Sequence, residues 1–191
     1  MKINRALNFV MPIERDGANI YVHSTPIGRE VFERYFVTIS KTFGALVGMG
    51  GIGITAAPRV ASMTLKKVAQ DMGEWEGPEG VEAGLMGEMR RLTNVLTLGD
   101  AGWQMEPFSD AIARGLFDRE DGEEIENALV FFTVGSAIWP RRDRETMLAI
   151  SLSAWNAETS SRDCMELANS LTISTGDASS GEKVQPSSIP S

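Results

Sequence analysis

The stretch that decides the fold runs from Glu123 to Trp139 and reads EEIENALVFFTVGSAIW. Its first third is acidic, and from Ala128 onward it is apolar apart from one Thr, one Gly and one Ser. A helix that is apolar nearly all round is buried on several sides, and this apolar run is shorter than the roughly 20 residues that a membrane-spanning helix needs. The sequence therefore predicts that this helix forms the centre of a soluble core.

Signals for both ends of the central helix lie in and next to the stretch. Asp121 is followed three residues later by Glu124, the spacing of a capping box in which each side chain meets a free backbone N–H. Pro140 follows the last residue and predicts the end of the helix, because the residue before a proline disfavours helical geometry.

Length and composition predict one acidic cytoplasmic domain with a tail. The chain has 191 residues, is 42% hydrophobic, and carries a formal net charge of −8 with an isoelectric point near 4.8. This charge disfavours nucleic acid binding, which needs clustered Lys and Arg, and no signal peptide is predicted. Because Cys164 is the only cysteine, no intrachain disulfide can form, which is typical of a reducing compartment.

Residues 6–24 predict an N-terminal β-hairpin. Apolar residues alternate with other residues, and Asp16 and Gly17 form the pair favoured in turns that need a positive φ. Pro12 cannot donate a ladder hydrogen bond, so we expect the first strand to be an edge strand. The alternating apolar residues are Leu7, Phe9, Met11 and Ile13, followed by Ile20 and Val22.

The clearest amphipathic helix is predicted directly after the hairpin. Thr25 is a candidate N-cap, Pro26 suits the first helical position, and the glycines of residues 48–53 would end the helix. Its apolar residues recur at three- and four-residue spacing, and they are Ile27, Val31, Phe32, Tyr35, Phe36, Ile39, Phe43 and Leu46.

The remaining periodicity completes a mainly α fold. A loop is predicted at residues 73–78 and a short strand at residues 103–106. Further helices are predicted at about 58–72, at about 78–96, near Ser109 with Ile112 and Leu116 inward, and at about 143–157 with Leu148, Leu152 and Trp155 inward.

The predicted fold class is thus a compact helical domain of about five to six helices, residues 1–159, with the N-terminal β-hairpin as a minor β component. Residues 160–191 are rich in Ser, Thr, Gly and Pro. Such a segment buries too little apolar surface to offset its ordering entropy, so a polar, largely disordered C-terminal tail is predicted, with the disorder at residues 172–191.

Three residue patterns could carry chemistry, and each has a structural interpretation that the sequence favours. Residues 48–53 match G-x-G-x-x-G, but a dinucleotide fingerprint needs a preceding strand, so a hinge between helices is favoured. His23 and Cys164 are each alone of their kind, which favours an exposed strand-end histidine and an incidental thiol over a catalytic pair. The acidic cluster from Asp118 to Glu126 lacks the spacing of a calcium loop and suits a helix start. No catalytic, cofactor-binding or metal-binding residue is therefore predicted.

Five residues are candidates for binding a partner. Phe9 and Met11 lie on the predicted edge strand, where an open ladder can pair with another chain. Gly50 and Gly51 lie in the predicted hinge, and Trp75 stands between two glutamates in a predicted loop, where an exposed Trp can anchor a partner. The alternatives are a hairpin that only covers its own helices, glycines that only end one helix, and a Trp folded over the core.

Several stretches resemble the tail assembly chaperones of long-tailed bacteriophages. They are LNFVMPIERDGANIYVHSTPIGREVFERYF from Leu7, RRLTNVL from Arg90, ENALVFFTVGSAI from Glu126, and the polar Ser/Thr-rich tail. The resemblance covers about residues 6–171 and rests on overall pattern rather than on a catalytic signature.

This resemblance implies a helical protein, not an enzyme, in the cytoplasm of the infected host bacterium. Such chaperones coat the tape-measure protein, keep its apolar helices from aggregating, help to recruit tail tube subunits and are absent from the finished particle. The expected partners are therefore the tape-measure protein and the tail tube protein, with no cofactor, nucleic acid or membrane. Self-association through the hairpin is a further expectation.

Two other functions compete with the chaperone. The first is a structural virion component, such as a head–tail joining or tail-completion protein that uses the hairpin as an assembly arm. The second is an enzyme with an acidic site, which metal-dependent thermal stabilisation would favour. Both alternatives stay open at the level of sequence.

Overall fold

The chain is seen in a computed structural model that describes residues 7–15, 18–48 and 57–171. These residues form a five-stranded antiparallel sheet and eight α-helices, which confirms a helical domain with an N-terminal hairpin. The strands are β1 (Asn8–Arg15), β2 (Ala18–Ser24), β3 (Thr93–Gly99), β4 (Gly102–Pro107) and β5 (Glu158–Ser160). The helices are α1 (Arg29–Arg34), α2 (Phe36–Gly48), α3 (Ala61–Asp71), α4 (Gly87–Arg91), α5 (Phe108–Ala113), α6 (Arg119–Ile138), α7 (Arg141–Leu152) and α8 (Cys164–Ser170).

The predicted hairpin is the β1–β2 pair, in a sheet with the strand order β4-β3-β2-β1-β5. Alternation along β1 sends Phe9, Met11 and Ile13 to the face that packs on the main core, and sends Val10 to the opposite face. Each face of the sheet therefore has its own apolar cluster, and the second cluster is covered by α8.

The prediction that the first strand is an edge strand is wrong for its first half. Residues 8–10 pair with all three residues of β5, and the last two of them also pair with β2. Pro12 lies beyond the last residue that pairs with β5, so its missing N–H interrupts no ladder on that side. The pairing of β1 with β5 thus ends at Val10, before the proline.

The helix predicted at 78–96 ends at Arg91, after a π-helical turn at Val81–Met86 that leads into α4. The last part of that segment is β3, because Thr93 and Val95 pair with Ser24 and Val22 of β2. The Thr93 hydroxyl also donates to the Met89 carbonyl at 2.7 Å, which satisfies the end of α4. Leu92 and Leu96 have the four-residue spacing of a helix, but the β-branched Thr93 and Val95 between them favour a strand.

Two other helix boundaries differ from the predictions. The first helix begins at Arg29 with Gly28 as its N-cap, rather than at Pro26 with Thr25 as its N-cap. The Thr25 N–H donates instead to the Leu92 carbonyl beside the sheet. Helix α5 begins at Phe108, which turns Phe108 and Ala111 inward and leaves Ile112 exposed. The inward position predicted for Ile112 is therefore wrong, whereas the short strand predicted at 103–106 is confirmed by β4.

The central helix is α6, and its burial is confirmed. Every residue from 128 to 136 is buried, and the helix packs against α2, α3 and α7. It begins earlier than predicted, because Asp118 is the N-cap in place of Asp121. The Asp118 carboxylate accepts the backbone N–H of Asp121 at 2.9 Å. It ends at Ile138, two residues before Pro140, as predicted.

The last predicted helix is α7 with a 3-10 turn, and the inward positions of Leu148, Leu152 and Trp155 are confirmed. Helix α8 is a correction, because it lies within residues 160–191, the segment predicted as a largely disordered tail. Its capping box uses Asp163 and Glu166. The disorder predicted for residues 172–191 lies outside the described residues.

Helix α8 completes the second apolar cluster. Cys164, Leu167 and Ala168 pack with Val10 of β1 and Leu96 of β3, and all five side chains are buried. Only three inward residues, two of them small, form this face. Such a short apolar pattern is hard to separate from a polar tail in the sequence.

Two truncations test where the folded part ends. A chain that stops after Leu171 should keep the melting temperature of the full chain, because α8 is retained. A chain that stops after Ser161 should melt at least about 5 °C lower. Val10 and Leu96 lose their cover, and the side chains of Asn8 and His23 lose the Arg162 carbonyl, at a cost of at least ~2 kcal/mol. Circular dichroism melts of the three chains provide the measurement, and equal melting temperatures would contradict a structural role for α8.

Candidate functional site

The two strand residues predicted to bind a partner lie inside the core. Phe9 is fully buried, and its ring centroid lies 5.5 Å from that of Phe132 in α6. Met11 is buried on the same face of the sheet. Phe9 and Met11 share one face of β1, as the alternation predicts. That face packs on the core, so neither side chain can meet a partner in this structure.

The other three candidates have different outcomes. Gly50 and Gly51 lie outside the described residues. Trp75 is partly buried against the main core, and the Lys66 ammonium lies 5.4 Å from the centroid of its ring. Its neighbour Glu74 accepts a hydrogen bond from the Thr38 hydroxyl at 2.9 Å, which ties the loop to α2. Trp75 thus takes the alternative position weighed for it, folded over the core.

His23 has a structural environment on β2. Its Nε2 lies 3.1 Å from the Arg162 carbonyl oxygen, and the Asn8 side-chain amide donates to the same oxygen at 2.7 Å. With Nε2 as the donor, Nδ1 is an acceptor, and within the described residues neither His23 Nδ1 nor Asn8 Oδ1 has a partner. The two side chains therefore hold the segment before α8 against β1 and β2.

Cys164 is poorly suited to nucleophilic chemistry. Burial, and secondarily the negative charge of Asp163, raises the pKa of its thiol to about 11. The thiolate is the reactive form, so a thiol that stays protonated at neutral pH is inert. Both residues have structural surroundings, but the exposed position predicted for His23 is wrong, because its side chain is buried against the segment before α8.

The acidic cluster is divided among separate structural contacts. Asp118 caps α6, Asp121 makes a salt bridge of 3.1 Å with Arg15, and Glu126 makes one with Arg90. In the parts of the chain that the structure describes, no group of three or more His, Cys, Asp and Glu side chains could hold a metal ion.

Two of the clefts among the described residues lie next to the sheet. The larger, of about 520 Å³, lies between the sheet and the end of α5, where Arg114 forms a salt bridge with Glu106. The smaller, of about 280 Å³, lies between β1 and the start of α6, beside Asp121 and Glu124. The larger cleft has a neutralised charged pair and apolar walls from Ile20, Leu98 and Met105, so it offers contact surface more than reactive groups.

The outer surface of α2 carries apolar residues that the sequence pattern did not predict to be exposed. Phe36 was grouped with the inward residues of its helix, yet 49% of its surface is exposed, and Val37 and Val47 are exposed as well. The inward face is formed by Ile39 and Leu46 with Thr38 and Thr42. Apolar residues on both faces of α2 give this signal in the sequence, but periodicity alone favours only one face.

None of the helices in the described residues is long and apolar enough to cross a membrane. Compared with known protein families, curated proteins and solved structures, the chain matches none of them. The phage resemblance therefore stays a prediction from the sequence.

Proposed function

We propose that this chain is a tail assembly chaperone of a long-tailed bacteriophage, which acts in the host cytoplasm. It binds apolar helices of the tape-measure protein and helps to recruit tail tube subunits. The resemblance of three stretches and the polar tail supports the proposal at the level of sequence. The observation that carries it in the structure is a set of large apolar side chains left exposed on a well-packed domain.

Three of these exposed side chains are methionines. Met63 on α3, Met105 on β4 and Met165 on α8 are each about half exposed or more. Methionine is unbranched and polarisable, so it adapts its shape to different apolar partners. Such a surface suits a protein that must hold many dissimilar helical segments of one long chain and later release them.

A second candidate, a structural virion component, is favoured by one observation. Among the described residues, no strand pairs with the outer edge of β4, the first strand in the sheet order. An unpaired edge can accept a strand from a neighbouring subunit. A protein that stays in the particle would use such an edge for permanent assembly.

Co-expression with the tape-measure protein tests the chaperone. We expect the tape-measure protein to be soluble and to co-purify with this chain, because its apolar helices are covered. An unrelated acidic protein of similar size is the control and should leave the tape-measure protein insoluble. If this chain also leaves it insoluble, the chaperone proposal fails.

Mass spectrometry of purified particles separates the two candidates. A chaperone is absent from the finished particle, whereas a joining or completion protein is present in fixed stoichiometry. Peptides of this chain in particles purified free of cell lysate would favour the virion component.

A further inference from the structure

The outer edge of β4 is an unpaired edge of the sheet among the residues that the structure describes. The register of β4 with β3 is continuous, with no bulge, and the strand contains no lysine. Natural edge strands often avoid pairing with other chains by means of a bulge or a lysine. Apart from its last two residues, Glu106 and Pro107, this edge has no such protection.

Pro107 shows which backbone groups of β4 point away from the sheet. In an antiparallel ladder, pairs of residues that exchange two hydrogen bonds alternate with pairs that exchange none. Pro107 faces Asn94 and has no N–H to donate, so this pair is of the second kind. Two and four residues earlier, Met105 and Trp103 therefore also direct their N–H and C=O groups to the open edge.

Large apolar side chains lie on and beside this edge. Leu98, Met105 and Ile112 are 42%, 47% and 42% exposed. The ring of Trp103 is partly buried against the second apolar cluster, and its centroid lies 5.4 Å from that of Tyr21. The edge therefore offers apolar contact next to its outward hydrogen-bonding groups.

We propose that β4 pairs with β4 of a second copy of this chain, antiparallel and around a two-fold axis at Gln104. Trp103 of each copy then faces Met105 of the other copy, and each of these two pairs exchanges two hydrogen bonds. All four outward N–H groups thus find acceptors, and the two five-stranded sheets form one sheet of ten strands.

The hydrogen-bonding groups favour this register over its neighbours. A two-fold axis at Met105 would set Trp103 opposite Pro107, which has no N–H. An axis at Trp103 would set Met105 opposite Ala101, which lies in the turn before β4 rather than in the strand. The axis at Gln104 pairs both residues within β4.

The side chains of β4 are compatible with a second copy of themselves. The Trp103 ring lies beside Met105 of the other copy, and a thioether sulfur makes favourable contacts with an aromatic ring. Glu106 forms a salt bridge with Arg114 of its own chain and faces Gly102 of the other copy. Like charges therefore do not lie opposite each other along the paired strands.

A second copy accounts for features of β4 that a strand of another protein leaves unused. The symmetric spacing of Trp103 and Met105 about Gln104, and the glycine opposite Glu106, concern pairing with the same sequence. Because β4 has six residues and spans only about 20 Å, the interface is small, and we expect a weak, reversible dimer. The inference does not depend on the proposed function.

Sedimentation equilibrium of the full-length chain tests the dimer. We expect the mass of one chain at about 1 µM and that of two chains at about 0.5 mM. Met105→Lys should weaken dimerisation at least about tenfold, because it places a charge on the paired edge. Met63→Lys on α3, also at an exposed methionine, should leave dimerisation unchanged. A constant mass of one chain, or equal effects of the two lysines, would overturn the proposal.

A cysteine at the two-fold axis tests the register. Opposed residues that exchange no hydrogen bonds have Cα atoms about 4.5 Å apart, within the range that a disulfide bridges. Under mild oxidation at a concentration where the dimer forms, Gln104→Cys should cross-link two copies at least about tenfold faster than Met63→Cys. Both positions are exposed, and Cys164 is buried in both variants. Equal rates of cross-linking would contradict the axis at Gln104 and overturn the proposal.

Amide hydrogen exchange identifies a wrong occupant of the edge. The N–H groups of Trp103 and Met105 should exchange rapidly at about 1 µM and become protected as the dimer forms. Protection that is already complete at the low concentration would show that another part of the same chain covers the edge, and would overturn the proposal. Co-expression with the tape-measure protein tests the chaperone function separately, so either can fail while the other stands.

Discussion

Replacing Phe132 with alanine should lower the free energy of unfolding by about 3–5 kcal/mol, the usual cost of removing a large buried aromatic side chain. Phe132 is fully buried at the middle of α6, and its ring packs on Phe9 of β1. The substitution therefore opens a cavity where the central helix meets the sheet. Since a whole domain is typically stable by about 5–15 kcal/mol, the variant would lose a large share of its stability.

Urea unfolding measures this loss, and Phe36→Ala is the matched control. Phe36 loses the same side chain from a half-exposed position, with only an edge contact to Phe32 at a centroid distance of 5.6 Å. The control should cost about 1 kcal/mol or less. If both variants unfold at the same urea concentration as the unchanged protein, the central position of α6 is wrong.

Replacing Gly84 with alanine should destabilise the fold in spite of the higher helix propensity of alanine. The added methyl group would overlap the hydroxyl oxygen of Tyr35 and lie 2.7 Å from its ring carbon Cζ. Tyr35 is buried, and its hydroxyl donates to the Glu79 carbonyl at 2.9 Å, so the ring cannot move away without breaking that bond. Overpacking costs about 1–3 kcal/mol, and the lost hydrogen bond adds ~1 kcal/mol.

Two further variants make the Gly84 result interpretable. Gly87→Ala lies three residues later, with no atom within 4 Å of the new methyl group, and should be stabilising by up to about 1 kcal/mol. Adding Tyr35→Phe to Gly84→Ala removes the nearest clashing atom and should restore part of the stability. A Gly84→Ala protein as stable as Gly87→Ala would show that Tyr35, between α1 and α2, does not contact the π-helical turn.

The sequence predicts the elements that have one strong local signal. The apolar run of α6, the pairing of the two hairpin strands and the inward leucines of α7 follow from local patterns, and each is confirmed. The end of α4 was missed because Leu92 and Leu96 fit a helical spacing and a strand equally well. Pairing with β2, which is distant in sequence, decides for the strand.

The candidate site was harder to predict than the fold, for a physical reason. Alternation along β1 shows that Phe9 and Met11 share a face, but not whether that face meets helices or solvent. The neighbour that covers the first part of the β1 edge, β5, is only three residues long. On α2, apolar residues surround most of the helix, so the exposed ones differ from the buried ones only in what packs beside them.

The pairing of β1 with β5 also affects how the protein is made on the ribosome. β1 is among the first described residues to be synthesised, and β5 and α8 are among the last. Until they emerge, the first half of β1 has an unpaired edge, and Val10 lacks its cover from α8. Contacts between distant parts of a chain form slowly, and unpaired strand edges invite aggregation. The nascent chain therefore depends on completing its synthesis before its own sheet is protected.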